Sequence, residues 1–170
     1  MSDPHALYLE ALRRYERPLV AYARGLLPRL EDARDIVQDV FLKLHRSLPA
    51  LETENLAPWL FTVCRNAALD HLRKHQRLVP MEAANLELET EDSPSPDQRL
   101  DQNERAAALR QLVDQLPDRQ REAVRLKFFA GMDYKQIAET MQTSIGNVGY
   151  LIHHGVAALR KNWEALEAVA

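Results

Sequence analysis

Six histidines, a single cysteine and 25 carboxylates are the side chains of this 170-residue sequence that could move protons, attack a substrate or hold a metal. His71 and His75 lie one helical turn apart, a spacing that would turn two imidazoles toward one ion. No Glu or Cys stands at an offset that completes the shell, and Arg73, Lys74 and Arg77 surround the pair with positive charge, so no metal site is expected. Cys64 falls on the apolar side of its segment, where a thiol is shielded rather than nucleophilic. No Gly-rich phosphate cradle is present, because four of the five glycines belong to residues 131–155. The sequence therefore predicts no enzyme and no cofactor.

Binding chemistry is better represented. Thr62, Asn66, Asp70, Arg73 and Arg77 recur at helical intervals, and a stripe of amides and cations suits phosphates and unstacked bases. The same cations also suit a plain helix C-terminus, whose dipole favours positive charge. Farther on, Tyr150, Leu151, His153 and His154 would share the outward face of a final helix. Imidazoles there could make binding respond to pH, although paired surface histidines are commonly bystanders.

The elements that must position these groups are helical. Residues 5–27 carry Leu12, Tyr15, Leu19, Tyr22 and Leu26 at spacings of three and four. Pro18 is expected to kink that helix or to start a new one. Residues 30–47 are the most regular stretch, with Leu30, Ala33, Ile36, Val37, Val40, Phe41 and Leu44 inward, and Glu31, Asp32 and Asp35 in the first turns. The opposite side holds Asp35, Gln38, Asp39, Leu42 and Arg46. A leucine among acids reads either as a docking surface or as a solvated face with one stray apolar residue.

Residues 48–58, with Pro49 and Pro58, form a connector to a third helix over 59–77, whose inward side is Leu60, Phe61, Val63, Cys64, Ala67, Ala68 and Leu72. Residues 99–115 predict a helix with Leu109, Leu112 and Val113 inward. The next helix starts at Asp118 and turns Ala123, Val124, Leu126 and Phe128 inward. Gly131 then allows a turn. Ile137, Ala138, Met141, Ile145, Val148 and Ile152 have the offsets that lock two helices of a helix-turn-helix, a unit that presents its second helix to a DNA major groove. Val156, Leu159 and Trp163 continue the inward stripe.

Charge divides the chain. Residues 1–80 hold twelve Lys/Arg against ten Asp/Glu, residues 81–98 hold six acids and no base, and residues 99–170 hold ten Lys/Arg against nine acids, for a net charge of −3. Any DNA binding must therefore rest on local patches, not on a global field. The acidic stretch, with Ser-Pro-Ser-Pro, reads as a linker. The expected fold is all-α: two small helical domains joined by an acidic flexible linker, the second containing a helix-turn-helix, with boundaries at 1–78, 79–98 and 99–170. No apolar run approaches the roughly 20 residues of a membrane span. No signal peptide is visible, and one cysteine fits a reducing cytoplasm, so a cytoplasmic protein without membrane insertion is expected.

Three segments, EDARDIVQDVFLKL, PWLFTVCRNAALDHLRK and LPDRQREAVRLKFFAGMDYKQIAETM followed by a long helix, together resemble the small bacterial sigma factors of the extracytoplasmic-function group of the sigma-70 family. Order, spacing and total length all match. The resemblance implies a promoter-specificity subunit that binds core RNA polymerase and promoter DNA, commonly held by an anti-sigma partner. It implies that Asp35, Gln38, Asp39 and Leu42 contact the polymerase. Asn66, Asp70, Arg73, Lys74 and Arg77 would recognise and melt the minus-ten element. Ser144, Asn147, Tyr150, His153, His154, Arg160 and Lys161 would face the minus-thirty-five element.

Departures from the family gather in the last helix, where a Thr-Val-Lys-Ser-Arg-Leu-like run followed by His-Arg-Ala is usual. Here residues 147–155 are Asn-Val-Gly-Tyr-Leu-Ile-His-His-Gly, and outward cations return only at Arg160 and Lys161. Glycine inside a helix costs about 1 kcal/mol relative to Ala. Gln142 occupies a turn position that often takes Gly, and Arg34 stands where the family often has an acid. Either Asn147, Tyr150 and His154 read bases by hydrogen bonding and stacking, or the second domain binds DNA weakly and a partner or conformational change compensates. A helix-turn-helix regulator that does not bind core polymerase is the alternative function.

Overall fold

The computed structural model describes residues 3–51, 56–76 and 100–169, and every regular element among them is helical. Helix α1 (Pro4–Leu26) is opened by Asp3, whose side chain accepts from the His5 N–H at 3.1 Å, with Pro4 in the first turn where its missing donor costs nothing. Pro18 lies inside α1 and does not end it, contrary to one of the two outcomes expected from the sequence. An interior proline costs about 3 kcal/mol, and burial of Leu19, Tyr22 and Ala23 immediately after it offsets that cost.

Helix α2 (Leu30–Ser47) buries Ala33, Ile36, Val37, Val40, Phe41 and Leu44 along the expected stripe, and a short 3-10 turn (Leu48–Ala50) follows. Helix α3 (Leu56–Gln76) begins three residues ahead of the expected start, with Pro58 in its opening turn. Helices α1, α2 and α3 pack against one another around Leu19, Val40, Leu44, Leu60 and Phe61. The second half contains α4 (Leu100–Asp114), α5 (Asp118–Phe128), α6 (Tyr134–Met141) and α7 (Ile145–Val169). Helix α7 packs on α4, α5 and α6.

The helix-turn-helix is defined by local chemistry. Gly131 takes φ +67° between α5 and α6, a conformation that costs glycine little. Asp133 and Gln136 form a reciprocal capping box, each side chain accepting the other's backbone N–H at 2.8 and 3.0 Å. At the other end of α6, Gln142 adopts a left-handed φ of +53° and donates to the Ala138 and Glu139 carbonyls, so the strained turn expected at that position is present. Gly155 lets α7 approach α5, since a Cβ there would meet Val124 Cγ2 at 2.9 Å.

Four inward assignments differ from the expectation. Leu109, Phe128 and Ile145 are exposed, and Leu151 is buried. Phe128 is the last residue of α5 and Ile145 the first of α7. Helix α7 meets three neighbours instead of one, so its apolar arc widens to include Leu151 beside Val148 and Ile152. The expected linker, 79–98, and the flanking Arg77 and Arg99 lie outside the described residues.

The two halves touch, and buried polar groups cross the contact beside apolar ones. Glu122 on α5 accepts from the Tyr22 hydroxyl at 2.7 Å and from Arg65 Nε at 2.6 Å. Arg125 donates to the Ala21 carbonyl at 2.7 Å and pairs with Asp114, while Arg121 donates to the Gly25 carbonyl at 3.0 Å. Thr62 on α3 meets Thr140 on α6, hydroxyl to hydroxyl, at 3.0 Å. Burial drives the Tyr22 hydroxyl well above its ordinary pKa, helped by the Glu122 charge. Burial also lowers the pKa of the Arg125 guanidinium, against the opposing pull of Asp114. No buried side-chain nitrogen or oxygen among the described residues lacks a hydrogen-bond partner.

Candidate nucleic-acid interface

Three surfaces carry the candidate residues, and each is set by one helix. On α2, the inward stripe forces Asp35, Gln38, Asp39 and Leu42 to the opposite side, where all four are exposed and Leu42 is 50% accessible. An apolar side chain held in water beside two carboxylates gains from any partner that covers it and supplies cations or donors.

On α3, Asn66, Asp70, Arg73 and Lys74 are exposed along one face. Asp70 and Arg73 lie 3.5 Å apart, a surface pair weak enough to exchange for a phosphate contact. Thr62, the first member of the stripe, is instead turned toward α6. Arg77, the last, lies outside the described residues. His71 faces Asp32 at 3.4 Å and stacks on His75 with ring centroids 4.1 Å apart. Among the described residues no three His, Cys, Asp or Glu side chains gather around a common point.

On α7, Ser144 accepts from the Asn147 N–H at 3.1 Å and so closes the helix start. The Asn147 amide donates to Thr143 at 2.9 Å, which commits part of its hydrogen-bonding capacity to the turn. Tyr150 is 57% accessible, and its ring lies 4.1 Å from that of His154, with His153 at 5.5 Å from His154 edge to face. The result is an aromatic platform in place of a row of cations. A shallow groove beside it is lined by Tyr134, Ile152, His153, Val156 and Arg160, and Lys127 sits over the Tyr134 ring at 5.5 Å. Arg160 and Lys161 are exposed one to two turns beyond the platform.

Sequence reasoning did not single out Arg65, Glu122, Arg121 or Arg125. A signal for Arg65 was present: it follows Phe61 by four residues and precedes Ala68 by three, which puts it on the buried arc of α3. Glu122 stands beside Ala123 and Val124 in α5 in the same way. Neither residue shows from its own position that the other is its partner.

Comparison with known proteins places these surfaces in a family. Sigma-70 region 2 matches residues 11–78, and sigma-70 region 4 matches residues 106–159. The chain is 30% identical over 130 residues to the ECF RNA polymerase sigma factor SigM of Bacillus subtilis, covering 73% of this chain and 77% of SigM. It is 27% identical over 174 residues to the RNA polymerase sigma-H factor of Pseudomonas aeruginosa, covering 97% and 90%. Against the ECF RNA polymerase sigma factor SigE of Mycolicibacterium smegmatis it is 29% identical over 153 residues, covering 89% of this chain and 59% of that relative's length. Among solved structures, the sigma factor RpoE in complex with the anti-sigma factor NepR, from Bartonella quintana, has the same fold, with a TM-score of 0.66 at 24% identity over 92% of this chain and 96% of that one.

Proposed function

The chain belongs to the extracytoplasmic-function sigma factors of the sigma-70 family, and from that premise we propose that it is a promoter-specificity subunit of bacterial RNA polymerase. In this reading residues 1–78 dock on the core enzyme and open the minus-ten element, residues 79–98 connect, and residues 99–170 read the minus-thirty-five element. The chain carries no catalytic step of its own; it lends the polymerase its choice of start site, in the cytoplasm, where an anti-sigma protein is a further expected partner.

The observation that carries the reading is the coexistence in one chain of an exposed, acid-framed Leu42 on α2 and an exposed amide-and-cation stripe on α3. A DNA-binding regulator has use for the second but not the first. Duplex opening costs a few kcal/mol of unstacking at each step. Asn66 and Asp70 offer hydrogen-bonding groups to flipped bases, and Arg73 and Lys74 hold the single-strand phosphates. On α7, stacking by Tyr150 and His154 replaces much of the usual phosphate attraction, so minus-thirty-five binding should depend weakly on salt.

Run-off transcription with core polymerase on a genomic fragment library tests the proposal, alongside pull-down of core polymerase. Specific transcripts are expected. Replacing Asn66 and Asp70 by Ala should abolish promoter opening while leaving core binding intact, and Tyr150→Ala should weaken promoter binding about tenfold or more, the worth of one stacking contact. DNA binding without any core binding would instead support a stand-alone helix-turn-helix regulator.

A further inference from the structure

The outward face of α7 carries little fixed charge for a helix that reads DNA. Residues 145–163 contain no Asp or Glu, and Arg160 and Lys161 are their only Lys or Arg. His153 and His154 stand between the base-reading residues Asn147 and Tyr150 and those two cations. Along the helix axis His154 lies about 6 Å beyond Tyr150 and about 9 Å short of Arg160, at 1.5 Å of rise per residue. Both histidines are exposed. The Tyr150 ring lies against that of His154 at 4.1 Å, and His153 meets His154 edge to face at 5.5 Å. The two imidazoles are therefore held side by side at the surface, within the binding face and not at its margin.

Their surroundings leave any charge they gain available to a partner. Among the described residues neither imidazole forms an ion pair. On α7 itself the titratable or charged neighbours are Tyr150 and Arg160, and from α6 Tyr134 lines the groove that contains His153. From α5, Lys127 sits over the Tyr134 ring at 5.5 Å. No charged side chain of α4 pairs with either ring, and its Asp114 is held by Arg125. The acids of the other neighbouring helices are engaged elsewhere or stand apart. Glu122 accepts from Tyr22 and Arg65, Asp118 pairs with Arg121, Asp133 caps α6, and the exposed Glu139 pairs with neither histidine.

We infer that His153 and His154 are proton-gated phosphate contacts, through which α7 grips the minus-thirty-five element more tightly in acid than at neutral pH. The inference rests on the promoter-reading assignment of α7. Imidazole takes up a proton within the physiological range, and the net charge of residues 145–163 then rises from +2 to +4. Each phosphate contact so gained releases a counterion and steepens the dependence of log K on log salt by about 0.9. With both rings neutral, stacking by Tyr150 dominates and salt matters little. With both charged, the same helix holds the backbone on either side of the bases it reads. Phosphate contacts carry no sequence information, so base choice stays with Asn147 and Tyr150. Acid changes how fully the promoter is occupied and leaves its identity alone.

Holoenzyme assembled from core polymerase and the full-length chain tests the gate on a promoter fragment selected by run-off transcription. Its affinity is measured at about pH 6 and about pH 8 across a salt series, beside that of holoenzymes carrying variants. Wild type is expected to bind about fivefold or more tighter at the lower pH, with a salt slope steeper by about one to two. H153Q/H154Q should lose both the affinity ratio and the change in slope. H153R/H154R should bind with the steep slope at both pH values. H45Q, which removes an exposed histidine of α2, should keep the wild-type ratio and so exclude a general effect of net charge. Equal wild-type binding at the two pH values, a response that survives in H153Q/H154Q, or a response without change in salt slope would each overturn the gate. Wild-type binding by both Y150A and H153Q/H154Q at both pH values would instead overturn the assignment of α7 to the minus-thirty-five element. Absence of any transcript with core polymerase would overturn the sigma-factor reading.

Discussion

The interiors of the two halves and the seam between them are built on different principles. Inside the first half, Leu19, Val40, Leu44, Leu60 and Phe61 are fully buried; inside the second, Leu126, Ile137, Met141 and Val148 are. Such packing is non-directional and tolerates small shifts. At the seam, one carboxylate receives a tyrosine hydroxyl and a guanidinium, and two further arginines cap the carbonyls at the end of α1. Those contacts need all partners in place, and losing one leaves a buried charge uncompensated. Apolar contacts do continue from one half to the other, so the seam adds directional, charged contacts to an ordinary core. The contrast teaches that apolar packing holds each half together, whereas the fit between the halves also depends on specific polar partners.

The largest expected effect probes the interior. Phe61→Ala should cost about 3–5 kcal/mol, as for large-to-small changes at fully buried aromatics, and should appear in urea titration as loss of the first half's fold. A variant that merely opened the molecule would contradict the division drawn here. Next, Glu122→Ala leaves Arg65 and Tyr22 without their acceptor, a penalty of about 3–5 kcal/mol on the closed arrangement. Opening relieves that penalty by returning both groups to water, so circular dichroism should stay near wild type while small-angle scattering reports expansion. Unfolding of the variant would mean that the seam is part of the core after all.

A smaller effect follows from pH. Tyr22 keeps its proton in the closed arrangement because it is buried and faces Glu122, with Arg65 and Cys64 beside it. Its contribution to closure is fully present below the ordinary tyrosine pKa of about 10 and is lost as pH rises through the elevated value. Scattering above about pH 10 should show wild-type expansion that Tyr22→Phe lacks. The smallest effect lies away from the seam. Asp133→Ala removes the α6 capping box and should lower the stability of the second half by about 1 kcal/mol in urea titration, with the first half's stability unchanged. An equal loss of stability in the first half would show that α6 and the seam are coupled.

Much of this was legible in advance. The α2 stripe, the turns at Gly131 and Gln142 on either side of α6, and the exposed Asp35, Leu42, Asn66, Arg73 and Tyr150 all follow from residues within a few turns of one helix. Errors gathered where a helix meets more than one neighbour, as with Leu151, or at a helix terminus, as with Phe128 and Ile145; nothing local marks Leu109 as exposed. Pro18 was misjudged in part because local propensity favours a break, whereas Leu19 and Tyr22 supply long-range burial that carries α1 through it.

By itself the sequence determined which face of each helix is apolar and which is wet, since that depends only on residues three and four positions apart. It also determined the candidate binding residues, because whatever such a stripe excludes from the core it must offer to a partner. Tertiary structure alone decided that Arg65 and Glu122, each on an inward arc, are there for one another, and that Tyr22 joins them from 100 residues away. A buried charge is too costly to stand alone, but only the folded chain shows which distant residue makes it affordable.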